Sequence, residues 1–274
     1  GGTLDPSVTG VLPIAIGNAT RLFQYMPKEK TYKAIIQLGK ETFTDDNNGD
    51  VIREQQWPIL EKSFLESILN DFRGDIQQQP PMISSVHYQG ERAYKKARKG
   101  EKFDLPMRKI TIYNLQISSW NQKTGQLKLK IHCSSGTYIR ALARDLGRKL
   151  NCGGCLLELR RIQSQGFEEK KAISLPKIDN ELYSTPALIN PRDALKHLQK
   201  IQLRSQEELD YWRRGRLITI SEELSENLKF SGKAPSDNIE NHIVVLDSNN
   251  ELAGIGKLFT PLSVQPKVVF NAYS

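Results

Sequence analysis

The chain opens on GGTLDPSVTGVLPIAIGNATR, where a single carboxylate, Asp5, lies among glycines, small polar residues and apolar residues. An acid in such surroundings can act as a nucleophile or as a general base, and both roles require it to be ionised. Aspartate before proline is also a common way to begin a turn or to cap a helix. From these residues alone the turn is the favoured interpretation, so chemistry at Asp5 needs support from the rest of the chain.

Cys152 and Cys155 are the second candidate for chemistry, because two cysteines three residues apart can form a redox pair or half of a zinc site. A structural zinc ion needs two more ligands, and the nearby Cys133 and His132 do not form a second paired motif. The three cysteines are an odd number, which argues against a complete set of internal disulfides and favours a reducing compartment. We expect free thiols and no bound metal, with a redox or zinc protein as an alternative.

The composition is that of a globular protein with room for one large and one small domain. The chain has 274 residues, of which 38% are hydrophobic and 26% are charged. Its net charge of +8 and pI near 9.3 favour a polyanionic partner without identifying it. The sequence has no apolar run long enough to span a bilayer and no secretory signal pattern, so we expect a cytoplasmic protein with no membrane contact.

Hydrophobic periodicity predicts the elements of the first two thirds of the chain. Strands are predicted over 32–38, 110–120 and 126–133, with a loop at 46–50 and a turn near Gly125. Helices are predicted over 59–72 and 138–150, the second ending at Asn151. The apolar face of the first helix is predicted to contain Leu60, Phe64, Ile68 and Phe72, and that of the second Ile139, Leu142, Leu146 and Leu150. Hairpins mixed with isolated helices predict an α+β fold with a mixed, mostly antiparallel sheet.

The composition changes after Phe167, and a second, β-rich unit is predicted beyond it. Connecting structure is expected over Glu168–Lys171 and Pro176–Pro191. The unit itself is predicted to contain a short helix at 192–198, a turn at 212–216, and strands at 242–247 and 253–259 joined through Ser248-Asn249-Asn250.

Four motifs in order resemble the TruB family of tRNA pseudouridine synthases, and together they cover 1–167 of the chain. They are Gly2-Thr3-Leu4-Asp5-Pro6 with Thr9-Gly10-Val11-Leu12-Pro13, Lys30-Thr31-Tyr32-Lys33-Ala34, Ser135-Gly136-Thr137-Tyr138-Ile139-Arg140 and the residues to Gly147, and Leu156-Leu157-Glu158-Leu159-Arg160-Arg161 with Ser164 and Gly166-Phe167. The resemblance implies a catalytic domain of the pseudouridine synthase type over 1–185, with an RNA-gripping insertion at about 77–108. It also implies a small PUA-like C-terminal domain over 190–274, carried by Gly215, Asp247, Gly254, Gly256, Pro266 and Phe270.

The resemblance assigns the catalytic carboxylate to Asp5 and a paired guanidinium to Arg140. Because burial disfavours an ionised carboxylate, an always-charged arginine in bidentate geometry is a suitable partner. Tyr32 would place its ring against the target base, while Tyr138 and Leu159 would border the same pocket. The alternatives are a surface arginine at a helix start, a core tyrosine and a core leucine. The reaction has no net oxidation or hydrolysis, so no cofactor is expected.

A basic stretch from Arg92 to Lys102 occupies the position of the RNA-gripping insertion. The expected phosphate contacts are Lys95, Lys96, Arg98 and Lys99, and the alternative is a solvated helix face. The sequence departs from the family pattern just before this stretch, with Ile83, Ser85 and His87 where an aromatic residue, an alanine and a lysine are usual.

The resemblance implies a stand-alone, bacterial-type, monomeric isomerase that acts on the T-loop uridine of tRNA, conventionally position 55, without a protein partner. Family members usually carry a few dozen residues before the aspartate motif, and this chain starts after them. We therefore expect reduced stability and reduced or no activity, so an inactive truncated synthase is one alternative. A noncatalytic tRNA-binding or folding module is the other.

Overall fold

The computed structural model describes residues 1–101, 103–175, 186–222, 228 and 241–272, which form two compact units. The larger unit consists of Gly2–Pro13 and Lys28–Ala172. The smaller unit consists of Gly1, Ile14–Pro27 and Ile173–Ser274. Lys102 and most of the connecting structure predicted before Pro191 lie outside the described residues. The domain boundaries predicted from the sequence stay predictions.

The larger unit contains eleven described strands, three α-helices and a short 3₁₀ turn at Glu169–Lys171. Its strands are β1 (Thr9–Gly10), β2 (Lys30–Leu38), β3 (Lys40–Thr42), β4 (Val51–Glu54), β5 (Gly74–Gln78), β6 (His87–Tyr88), β7 (Glu91–Arg92), β8 (Arg108–Asn121), β9 (Gln126–Cys133), β10 (Gly154–Ser164) and β11 (Phe167–Glu168). Its helices are α1 (Lys62–Asn70), α2 (Ala93–Arg98) and α3 (Ile139–Lys149).

A seven-stranded sheet forms the centre of this unit, in the order β1-β10-β2-β9-β8-β5 with β11 paired to β10. All of its strand pairs are antiparallel except β1 with β10. The predicted hairpin is present as β8 and β9, which pair from Asn121 and Gln126 outward. Alternate residues of β9, namely Leu127, Leu129 and Ile131, are buried in the main core as the pattern predicts. The predicted α+β fold with a mostly antiparallel sheet is confirmed.

Helix α1 covers the sheet, but its buried face differs from the predicted one. Leu65 and Leu69 are fully buried, whereas Phe64 is 48% exposed. A helix repeats every 3.6 residues, so positions spaced strictly by four drift around its axis and leave the buried stripe. The other three predicted residues, Leu60, Ile68 and Phe72, do contact the main core.

Helix α3 forms as predicted and packs on the same core. Its predicted apolar residues are all buried: Ile139, Leu142, Leu146 and Leu150. Gly147 allows α3 to approach β10 closely, because a Cβ atom there would lie 2.1 Å from the backbone nitrogen of Gly154. After the helix, Asn151 adopts a left-handed φ of 53° and ends it.

Two small substructures extend from the sheet. Strands β3 and β4 form a hairpin whose connection contains the predicted loop at 46–50. Strands β6 and β7 pair with each other and lead into α2, and Val86, Ala93 and Leu105 form a separate small core beneath them. The basic stretch therefore includes a short folded helix, α2, with Ala93 and Ala97 buried.

The smaller unit contains a 3₁₀ helix at Gly17–Tyr25 and the elements α4 (Pro191–Ala194), β12 (Gln199–Gln202), α5 (Gln206–Arg213), β13 (Ile218–Thr219), β14 (His242–Leu246), β15 (Leu252–Thr260) and β16 (Ser263–Val269). Its strands form a five-stranded sheet in the order β12-β14-β15-β16-β13. The predicted hairpin of β14 and β15 is confirmed.

One prediction for this unit is wrong in detail, because the turn predicted at 212–216 is limited to Arg214 and Gly215. Trp212 lies in the last turn of helix α5, where its ring is fully buried and Nε1 donates a hydrogen bond to Ala253 O at 2.9 Å. The unit is β-rich as predicted, and α5 packs its Leu209 and Trp212 into the sheet's core. The charged run around Trp212 concealed this helix. No helix of the described residues is long and apolar enough to cross a membrane.

Candidate active site

The site is organised around an ion pair between Asp5 and Arg140, in which Arg140 Nη2 lies 3.1 Å from Asp5 Oδ2. Asp5 precedes β1 in a turn, and Val8 N donates a hydrogen bond to Asp5 O at 2.9 Å. Both sequence interpretations of Asp5, the turn and the arginine partner, are therefore present in the geometry. The Asp5 side chain is 52% exposed and that of Arg140 only 10%. The carboxylate is thus open to a ligand, while its cationic partner is enclosed by protein.

Arg140 is the second residue of α3 and is held by two other segments of the chain. Nη1 donates a hydrogen bond to Thr44 O at 3.1 Å, and Nη2 donates one to Ile83 O at 3.0 Å. A cation near a helix N-terminus is disfavoured by the helix dipole, and these contacts offset that cost. The alternative of an ordinary surface arginine is therefore wrong.

Asp46 is a second acid at Arg140, and sequence reasoning missed it by assigning it only to a loop. Its Oδ2 lies 3.6 Å from Arg140 Nη1. Its Oδ1 accepts hydrogen bonds from Thr44 Oγ1 at 2.6 Å and from Asn48 N at 3.0 Å. An aspartate in a run of Asp and Asn looks like a turn residue, so the sequence carried no local signal for this contact.

Asp45 and Arg144 form a parallel contact one helical turn further along α3. Arg144 Nη1 lies 2.8 Å from Asp45 Oδ2, and its Nε lies 2.9 Å from Asp145 Oδ1. Arg144 Nη2 also donates a hydrogen bond to Gln79 O at 2.8 Å. Burial raises the pKa of Asp45, and the positive charge of Arg144 opposes that rise. The carboxylates of the acidic turn at 45–46 are thus each matched to an arginine of α3.

Leu159 on β10 borders the pocket of Asp5, whereas Tyr32 on β2 lies in the core and is not among the residues that line this pocket. Tyr32 is 8% exposed and belongs to the main core, where burial raises the pKa of its phenol to about 12. Arg161 is its partner across the β2–β10 pairing, and the positive charge of Arg161 opposes that rise. Leu159 packs partly against the main core and also lines a pocket that contains Asp5. The residues lining that pocket are Asp5, Ser7, Val8, Asp46, Asn48, Arg140, Leu156, Leu157, Glu158 and Leu159.

Tyr138 lies at the N-cap of α3, where the insertion meets the sheet. Its backbone N–H donates to Gln78 Oε1 at 2.9 Å, and Gln78 Nε2 donates to Tyr138 O at 3.1 Å. Its side chain packs against the small core that contains Val86, Ala93 and Leu105. The geometry therefore connects Tyr138 with the insertion. A role for its ring at the pocket stays a prediction.

The four basic residues expected to contact phosphate lie on and just after α2. Lys96 Nζ lies 3.1 Å from Glu101, and Lys99 Nζ lies 3.0 Å from Glu91. The Arg98 guanidinium lies over the ring of Tyr94, 5.6 Å from its centroid. Lys95 is exposed. Part of the positive charge of this insertion is therefore matched by acids of the insertion itself.

The cysteines are free and buried, as Cys133, Cys152 and Cys155 each lie in the interior. Burial raises the pKa of the Cys133 and Cys155 thiols to about 11, which keeps them protonated and unreactive at neutral pH. Within the described parts of the chain, no cluster of three or more His, Cys, Asp or Glu side chains is arranged to hold a metal ion. These observations do not favour the redox or zinc alternative.

Residues 1–139 match the family described as TruB family pseudouridylate synthase (N terminal domain), and residues 140–201 match the tRNA pseudouridylate synthase B C-terminal domain. The tRNA pseudouridine synthase B of Prochlorococcus marinus (strain MIT 9313) is 48% identical over 283 residues, covering 99% of this chain and 88% of that protein. The protein of the same name from Synechococcus sp. (strain CC9311) is 49% identical over 277 residues, with 99% and 87% covered.

A solved structure, the crystal structure of a Cbf5-Nop10-Gar1 complex, contains a chain with a similar fold. The TM-score is 0.63 at 20% identity, and the match covers 98% of this chain and 74% of that one. At this identity the likeness concerns the fold alone.

Proposed function

The chain belongs to the TruB family of pseudouridylate synthases, and we propose that it isomerises a uridine of tRNA to pseudouridine with Asp5 as the catalytic carboxylate. The observation that carries the proposal is the Asp5–Arg140 ion pair, in which an accessible carboxylate meets an enclosed guanidinium at 3.1 Å. Arg140 would keep Asp5 ionised and oriented when a bound base excludes water from the pocket.

The proposed reaction breaks the N1–C1′ bond of uridine and forms a C5–C1′ bond, while C5 loses a proton and N1 gains one. Asp5 would act on the ribose, either as a nucleophile at C1′ or as a base at C2′. Leu159 would supply an apolar wall to the pocket, and Tyr32 a flat ring for the uracil once it leaves its neighbours in the RNA. Tyr138 would fix the start of α3 and so the approach of Arg140.

The proposed substrate is the T stem-loop of tRNA, with position 55 as the target uridine. Lys95, Lys96, Arg98 and Lys99 of the insertion at about 77–108 would contact its phosphates, which provides affinity without sequence readout. We assign the catalytic domain to 1–185 and a PUA-like RNA-binding domain to 190–274. The proposed enzyme acts as a monomer in the cytoplasm, needs no cofactor, and requires no protein partner.

The test is pseudouridine formation in an unmodified tRNA transcript, mapped by chemical probing. The parent chain is compared with Asp5→Asn, which keeps the shape of the side chain and removes its charge. Asp50→Asn, an exposed acid in the β3–β4 hairpin, serves as the matched control. A transcript with cytidine in place of the T-loop uridine tests the position.

We expect product at the T-loop uridine from the parent chain and from Asp50→Asn, and none from Asp5→Asn, although all three bind the transcript. Product elsewhere in the tRNA would contradict the proposed position. Binding without any product from the parent chain would contradict the proposed isomerase activity.

A further inference from the structure

Arg161 in β10 is fully buried, at 1% exposure, and its contacts converge on the segment that carries Asp5. Its Nε donates a hydrogen bond to Val11 O at 2.8 Å, and its Nη1 donates one to Thr3 O at 3.1 Å. Its own carbonyl accepts a hydrogen bond from Val11 N at 2.8 Å. One residue of the sheet therefore contacts the Asp5 segment on both sides of the carboxylate.

The two carbonyls that accept these hydrogen bonds flank Asp5 in the sequence, since Thr3 lies two residues before it and Val11 six residues after it. Gly10 allows the returning end of the segment to approach β10 at Arg161. With a φ of 113° it adopts a backbone conformation suited to glycine, and a Cβ atom there would lie 2.1 Å from Arg161 O. Residues 3–11 thus form a loop whose two ends are both hydrogen-bonded to Arg161.

The chemistry of these contacts explains why an arginine occupies this position. Among the described residues Arg161 forms no ion pair with a carboxylate. The acceptors of its side-chain hydrogen bonds are two neutral backbone carbonyls, and its Nη2 is buried without a hydrogen-bond partner in the described part of the chain. A buried charge with neutral partners is costly to fold, and an apolar side chain of similar size would pack there at least as well. An apolar side chain could not hold the carbonyls of Thr3 and Val11 at a fixed distance from each other, because it offers them no hydrogen-bond donor.

We propose that Arg161 is a positioning residue for the isomerase, which holds the Asp5 segment in one arrangement so that Asp5 faces Arg140. The proposal rests on the function proposed above and extends it to a residue that does not line the pocket. Arg161 does not touch the substrate. It acts through the backbone on either side of the reacting carboxylate, and its cross-strand partner on β2 is Tyr32.

The experiment compares Arg161→Met, Arg161→Lys and the control Arg160→Met. Arg160 is the adjacent residue, with a half-exposed side chain paired to Glu169 and one hydrogen bond to Thr9 Oγ1. The measurements are the single-turnover rate at saturating enzyme, the Kd for tRNA, and amide hydrogen exchange. The first two separate a misplaced Asp5 from lost substrate binding, and the third reports the Asp5 segment directly without requiring activity.

Arg161→Met is expected to lower the single-turnover rate by about 100-fold, because a displacement of Asp5 by about 1 Å has an effect of this size. The Kd for tRNA should change by less than about threefold. Arg161→Lys should fall between parent and Met, because a lysine reaches fewer of the acceptors. Arg160→Met should stay near the parent rate. In Arg161→Met the amides of Val8 and Val11 should exchange at least about tenfold faster, while those of β9 stay unchanged.

Unchanged exchange at Val8 and Val11 in Arg161→Met would overturn the proposal, and so would exchange that rises equally across β9. If the parent chain makes no pseudouridine, the proposed function fails, yet the exchange data still decide whether Arg161 holds the Asp5 segment. If the parent is active, a rate for Arg161→Met within threefold of the parent would also overturn the proposal.

Discussion

Helix α3 and the α2 insertion both carry basic side chains, but they use them differently. On α3, Arg140 and Arg144 are each 8% exposed. Apart from Asp145 beside Arg144, their partners are acids and carbonyls from sequence-distant segments such as the turn at 45–46. On the insertion, Lys96 and Lys99 are paired with acids only five and eight residues away in the sequence, Glu101 and Glu91.

The buried arginines of α3 therefore fix the geometry of the fold, whereas the exposed lysines of the insertion are suited to attract a negatively charged partner. A buried guanidinium with several hydrogen-bond acceptors has one favourable position, and removing it leaves buried partners unsatisfied. An exposed lysine paired with an exposed carboxylate contributes little to stability and can exchange that carboxylate for a phosphate. Substitutions on α3 should therefore change the folded state or its stability, and substitutions on α2 should change RNA affinity and its salt dependence.

Arg144→Met should give the largest loss of stability, because it leaves the carboxylate of Asp45 buried without its cation. We expect the free energy of unfolding to fall by about 3–5 kcal/mol in urea denaturation. Asp45→Asn combined with Arg144→Met should cost less than Arg144→Met alone, because no buried charge is then left unpaired. Asparagine suits position 45, where φ is 59°.

Lys149→Met is the matched control for the buried pair, since Lys149 lies on the same helix and forms an exposed ion pair with Asp71 at 2.9 Å. Its loss should change the free energy of unfolding by less than about 1 kcal/mol. Equal losses of the free energy of unfolding in Lys149→Met and Arg144→Met would show that burial does not make the Arg144–Asp45 pair more stabilising than the Lys149–Asp71 pair.

Tyr32 offers a pH-dependent test of the buried region. Its folded pKa of about 12 lies above the ordinary value of 10.0, so its contribution to stability is present below pH 10 and is lost as the pH rises through 12. A shift of this size corresponds to about 2–3 kcal/mol. Between pH 9 and 11.5 the parent should therefore lose more free energy of unfolding than Tyr32→Phe does.

Tyr113→Phe is the control for the alkaline series, because Tyr113 on β8 is half exposed and its pKa is also raised, chiefly by desolvation. The loss of free energy of unfolding between pH 9 and 11.5 should be closer to that of the parent in Tyr113→Phe than in Tyr32→Phe. If Tyr32→Phe and the parent keep a constant difference throughout this range, the phenol of Tyr32 is not held protonated by the fold.

Three strands of the large sheet, β2, β8 and β9, and helix α3 could be predicted from the sequence because their signals are local. Strands β1, β5, β10 and β11 were not predicted. Alternation in β9 and helical spacing in α3 reflect one buried face each, and both were confirmed. The Asp5–Arg140 contact joins residues 135 positions apart and came from family resemblance, which encodes tertiary proximity that periodicity does not. Asp46 carried a turn signal and Trp212 lay in a charged run, so their tertiary roles became visible only in the fold.

The basic insertion provides the smallest and sharpest comparison, between Lys95 and Lys99. Each change to glutamine removes one positive charge near α2, but hydrogen bonding to Lys99 lowers the pKa of Glu91, and Lys99 must leave that carboxylate to meet a phosphate. Lys95 forms no ion pair in the part of the chain that the structure describes. Lys95→Gln should reduce the slope of log Kd against log salt by about one, and Lys99→Gln by less.

The measurement is tRNA binding by filter retention over a range of salt concentrations, with the single-turnover rate at saturating enzyme as a parallel readout that neither variant should change. Glu91→Gln sharpens the comparison, since it frees Lys99 and should strengthen tRNA binding. Equal slopes for Lys95→Gln and Lys99→Gln, with no gain from Glu91→Gln, would mean that only net charge matters on this insertion. The local ion pairs would then have no influence on how the insertion meets RNA.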